Sequence, residues 1–150
     1  MRAKTMSEAL LMADSDPTFK AEHGNGYLRP SIVRTGETVG CALGGIVTQL
    51  LPKKEVIGYA EKIFNDFSFD REHMIEKICG KIKGSCDQVP LKIWRKVMPD
   101  DNYAKYYEND EDEWDECMDE TRWVDLVEKL YEQKEKSFKQ IAKILKRYDK

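Results

Sequence analysis

The sequence lacks long apolar runs, a Cys-x-x-Cys spacing and an abundance of histidine, and each absence removes a class of protein. A membrane-spanning helix needs about 20 apolar residues, and the longest candidate here, Cys41 to Leu51, already contains Thr48 and Gln49. Met1-Arg2-Ala3-Lys4 leads into Thr5-Met6-Ser7-Glu8, not into the apolar stretch of a signal peptide. The expectation is a cytoplasmic protein with no membrane contact. Four cysteines (Cys41, Cys79, Cys86 and Cys117) form no Cys-x-x-Cys pair, and the two histidines, His23 and His73, stand at no zinc-finger spacing from them. No metal and no cofactor are therefore expected, and without a secretory signal the thiols are expected to stay reduced. Gly44 and Gly45 are followed only by a distant Lys53-Lys54, which excludes a phosphate-binding nucleotide loop.

Charge is what the chain has in quantity. Charged residues make up 35% of it, well above the usual quarter, which suits helices with solvated faces. The net charge of −3 conceals a polarity along the chain. From Glu108 to Glu120 nine of thirteen residues are acidic and none is basic, whereas eight basic residues fall between Lys129 and Lys150. The acidic stretch has no glycine and lacks the donor alternation of an EF-hand, which excludes that calcium loop. The late basic residues read as the solvated side of a helix. Tyr103, Tyr106 and Tyr107 adjoin carboxylates that repel phosphate, so direct nucleic-acid binding is not expected.

Local patterns place the elements. Thr5-Met6-Ser7-Glu8 is a capping box opening a helix with Met6, Ala9, Leu10 and Ala13 on its apolar stripe. His23-Gly24-Asn25-Gly26 reads as a turn, and Tyr27 to Arg34 has strand character that Pro30 confines to a sheet edge. Thr38 is the expected cap of a helix apolar on most of its circumference, through Val39, Leu43, Ile46, Val47 and Leu50, stopped by Pro52. Further helices are expected over Lys54 to Phe64, from a cap at Ser68 or Asp70 to Ile82 with Gly84 beyond, and over Pro90 to Met98. The stripe from Trp123 to Tyr148 predicts one long last helix, with Glu132–Lys136 and Glu135–Lys139 pairs along it.

These patterns predict a mainly α fold: five to six helices packed around a central apolar helix over about 39–51, with at most one short β-hairpin near 20–35. Residues 1–98 would form the helical core. Residues 99–150, the acidic segment plus a C-terminal amphipathic helix, would pack on the same domain.

Two segments carry the functional readings. Gly40-Cys41-Ala42-Leu43-Gly44-Gly45 puts a cysteine at a helix start, where a thiolate is stabilised. With His73 or His23 as base, and Asp70 or Asn65 to orient it, Cys41 is the candidate nucleophile of a hydrolase or transferase. Against this, a free cysteine is more often a small buried hydrophobe. In the acidic stretch, Glu108, Asp110, Glu111, Asp112, Glu113, Asp115 and Glu116 surround Trp114 and Met118; such a run is either a solvated segment or, with an aromatic set among charges, a docking surface for a basic protein.

The segment Gly40 to Ile46, followed by Phe64-Asn65-Asp66 and His73 to Ile82, resembles a family of small bacterial and phage proteins built around Cys-Ala-Leu-Gly-Ala. The resemblance covers about residues 6–83. Gly45 stands where the family has alanine, and the acidic segment and last helix lie outside it. What it implies is a phage or bacterial accessory protein, with no activity to carry over. The leading expectation is a non-enzymatic protein-interaction module that binds a host protein through its acidic surface. The alternatives are the Cys41 enzyme and an acidic DNA-mimic inhibitor of a nucleic-acid-binding protein.

Overall fold

The computed structural model describes residues 2–24, 27–65, 71–107, 111–116 and 120–150. Among them the chain is mainly helical, with nine helices and one three-stranded sheet. Helix α1 (Met6–Ser15) starts at the expected cap: Thr5 Oγ1 accepts from the Glu8 amide at 3.1 Å, while Glu8 Oε2 accepts from the amide of Lys4, one residue before the cap, at 3.0 Å. The sheet comprises β1 (Phe19–Ala21), β2 (Leu28–Pro30) and β3 (Thr38–Gly40). Its order is β1-β3-β2, with β1 parallel and β2 antiparallel to β3. The hairpin expected near 20–35 thus lies further along: β3 inserts between β1 and β2, and the consecutive antiparallel pair is β2 with β3, over Leu28 to Gly40. Pro30 does lie on an edge strand, where its missing amide leaves no ladder bond unmade. Asn25 and Gly26 of the expected turn lie outside the described residues.

Strand β3 also corrects the start of the central helix. Thr38, Val39 and Gly40 are extended, so Thr38 is no cap. Cys41 holds the cap position, and α2 runs only over Ala42–Thr48. All seven of its residues are buried, as a helix apolar all round requires. Helices α1, α4 (Arg71–Lys81) and α8 (Trp123–Glu132) pack on it, α3 (Lys53–Asn65) packs on β2, and α9 (Phe138–Lys146) packs on α1 and α8. Chain ends meet there: the Ser7 amide donates to the Lys150 carbonyl at 3.1 Å. One apolar cluster takes residues from both halves of the chain, Leu10, Leu43 and Ile78 beside Leu126, Leu130 and Ile141.

The long last helix is in fact two. After Glu132 the chain turns through Gln133–Lys136, with Glu135 at φ 50°, and Ser137 recaps α9 by a reciprocal bond with Gln140. Glu132 accordingly pairs with His23 (3.8 Å) and Lys139 with Asp14 (3.7 Å), across elements instead of along one helix. The expected caps Ser68 and Asp70 of α4 lie outside the described residues.

The expectation of reduced thiols is overturned at one pair. Cys79 and Cys86 form a disulfide, with Cα atoms 5.4 Å apart. Gly84, at φ 88°, reverses the chain after α4 and returns Cys86 to the helix end. The stapled loop then caps α8, since Ser85 and Asp87 carbonyls accept from the Val124 and Trp123 amides, each at 3.1 Å. Cys117 lies outside the described residues.

Candidate functional site

Cys41 sits where β3 becomes α2, and its thiol points inward. The residue is 3% exposed, and Sγ donates to the Tyr27 carbonyl at 3.6 Å. Burial pushes the thiol up to about 12, against the downward pull of the Gly44 and Leu43 amides. A nucleophilic cysteine needs the opposite: a lowered pKa and open access. Neither histidine corrects this. His23 is half-exposed and stacks on Tyr131, ring centroids 4.0 Å apart, with Nδ1 3.8 Å from Glu132. His73 is exposed on α4. Asn65 ends α3 on the surface, and Asp70 lies outside the described residues. Among the described residues the Cys41 thiol meets the Tyr27 carbonyl and neither histidine.

What lies beside Cys41 is a network of charges that the sequence patterns did not single out. Asp125 on α8 is 1% exposed, and its carboxylate takes two arginines. Arg122 Nε donates to Oδ2 at 2.9 Å, and Arg71 Nη2 on α4 donates to Oδ1. Arg71 Nε also donates to Glu128 at 2.6 Å, and Glu72 accepts from both guanidinium groups. Burial works against the Arg71 cation, but Glu128 and Asp125 outweigh it and raise its pKa. The same Glu128 accepts from the Tyr27 hydroxyl, which burial and that carboxylate hold well above its ordinary value. Breaking such a buried pair from one side costs about 3–5 kcal/mol, because the other charge is left without a partner. The network locks α4 to α8. A legible signal was Asp125 itself, a carboxylate on the otherwise apolar run from Trp123 to Val127.

The acidic stretch divides. Short helix α6 (Asn102–Tyr106) precedes it and α7 (Glu111–Asp115) lies within it, and Asp112, Glu113, Asp115 and Glu116 are exposed on and just after α7. Trp114 is not. At 1% exposed it belongs to the core, edge-on to Trp94 (5.3 Å) and Tyr107 (5.8 Å), with Nε1 donating to the Val89 carbonyl at 2.9 Å. Its expected role as a contact aromatic is corrected: a ring without accessible surface anchors α7 and meets no partner. Glu108, Asp110 and Met118 lie outside the described residues, and Glu111 is placed by its backbone alone.

No helix among the described residues is long and apolar enough to cross a membrane. Three or more metal-ligating side chains gather nowhere among those residues. No protein-family model, curated protein or solved structure matches the chain.

Proposed function

We propose that the chain is a non-enzymatic protein-interaction module, a bacterial or phage accessory factor that docks a basic protein surface on the carboxylates of α7. The observation that carries this reading is the anchoring of α7 by Trp114. A buried indole with a satisfied N–H holds the turn in place, while Asp112, Glu113, Asp115 and Glu116 remain in solvent. Carboxylates fixed in this way repel one another and lose little conformational freedom when a cationic partner arrives. Burial of Cys41 withdraws support from the enzymatic alternative.

The test is the quadruple variant Asp112→Asn/Glu113→Gln/Asp115→Asn/Glu116→Gln, whose thermal melt is first matched to wild type. Cross-linked capture from cell extract with both baits should give a set of basic proteins that the variant loses and that added salt releases from wild type. The same set on both baits would sink the reading.

A further inference from the structure

Two cavities adjoin on the face formed by α5 (Leu91–Val97), α6 and α9, with Lys96 as their common wall. The first, about 470 Å³, is lined by Lys92, Arg95 and Lys96 of α5 and by Lys105 of α6. The second, about 300 Å³, adds Lys143 and Arg147 from α9 and its end, with Lys136 from the preceding turn. Among the described lining residues the one carboxylate is Asp101, and it already accepts from Trp94 Nε1 at 2.6 Å. The sequence scatters these cations over more than fifty positions. The break before α9 and the packing of its apolar side bring them onto one groove.

We infer that this groove binds the phosphodiester backbone of single-stranded nucleic acid. Magnitudes favour it over an acidic protein segment. Exposed lysine–carboxylate pairs contribute about 0–1 kcal/mol each, whereas every phosphate neutralised on a nucleic acid also releases condensed counterions. A groove whose attraction is almost wholly charge therefore gains more from a polyphosphate. Its floor fits as well: Val97, Ile144 and Tyr148 line the second cavity and offer an apolar, aromatic surface for an unstacked base. The Tyr148 ring is held at a fixed tilt against Trp123, centroids 5.5 Å apart. The net charge of −3 is no obstacle, because attraction follows local distribution. The inference uses none of the α7 carboxylates and stands apart from the docking reading.

The experiment is fluorescence anisotropy of the intact chain with a labelled oligothymidylate. It is run beside a duplex and a polyglutamate peptide of equal charge. The oligothymidylate is expected to bind. With about four phosphates engaged, its affinity should fall about twentyfold on raising salt threefold. Lys96→Glu/Lys143→Glu should weaken it at least as far, at an unchanged circular dichroism melt. Lys96→Gln/Lys143→Gln serves as the second variant and should weaken it less. Failure to bind at low salt, equal binding by both variants and wild type, or binding of the peptide or duplex as tight as the single strand would each overturn the inference.

Discussion

Gly44 shows what one hydrogen atom does in this core. A helical glycine costs about 0.8–1 kcal/mol against alanine, so two in a row on α2 require compensation. At Gly44 a methyl group would run into the Tyr27 carbonyl oxygen, the same atom that accepts from the Cys41 amide at 3.1 Å. At Gly45 it would come 2.8 Å from Phe138 Cε2 and 3.2 Å from Phe19 Cε1, side-chain atoms that can shift. Backbone yields less than a ring edge. Gly44→Ala is therefore expected to lower stability by about 2–3 kcal/mol, the upper range for overpacking. Gly45→Ala should lose about 1 kcal/mol or less, because its gain in helix propensity offsets part of the clash. Urea denaturation of the two variants checks the order, and equal losses would refute the Tyr27 contact as the cause. Cys41 belongs to the same argument: beside these glycines it is a small residue filling a tight crossing.

At the scale of elements, the disulfide ties the end of α4 to the loop that caps α8. Closing so short a loop contributes about 2–3 kcal/mol in the chain-entropy account. Cys86→Ser, or reduction of the bridge, should lower the unfolding free energy from urea denaturation by that amount, and reduction should raise the intact mass by two hydrogens. An unchanged mass would show that the thiols are free. Several elements were legible from local signals: the Thr5 cap, Pro30 on a sheet edge, and the helices beginning near Lys53 and Pro90. Others were not. The stripe from Trp123 to Tyr148 keeps helical spacing through a turn, because α8 and α9 both bury apolar faces in the same core. Ser137 and Gln140 were the available sign of the break, a second capping box inside the stripe. Strand β3 hid for a related reason. Thr38 to Gly40 is buried like the helix it feeds, and a short buried run carries no periodicity of its own. The candidate site was read from composition, which locates a run of carboxylates along the chain but cannot tell that Trp114 faces inward.

At the scale of the whole molecule, one carboxylate joins parts of the fold distant in sequence, and it makes stability depend on pH. Asp16 ends α1. Its Oδ1 accepts from the Thr18 amide and hydroxyl at 2.9 and 2.7 Å, while its Oδ2 accepts from Gln49 after α2 (2.8 Å) and from Lys53 at the start of α3. Burial alone would raise its pKa, but the bonds from Lys53, Gln49 and Thr18 outweigh burial and hold it far below the usual carboxylate range. The sign follows. As pH falls, the unfolded chain takes up the proton near its ordinary value of about 3.9, while the folded chain still resists it. The contribution of Asp16 is thus fully present above about pH 5 and is lost as pH drops through the folded value. Asp16→Asn should be less stable than wild type by about 2 kcal/mol at pH 7, a magnitude set by hydrogen bonds to a charged group. That gap should narrow steadily between pH 5 and about pH 2 as wild type loses what the variant never had. Urea midpoints of both proteins across this range provide the check. A gap that stayed constant would mean that the knot holds through the shape of its hydrogen bonds alone, with the Asp16 charge adding nothing.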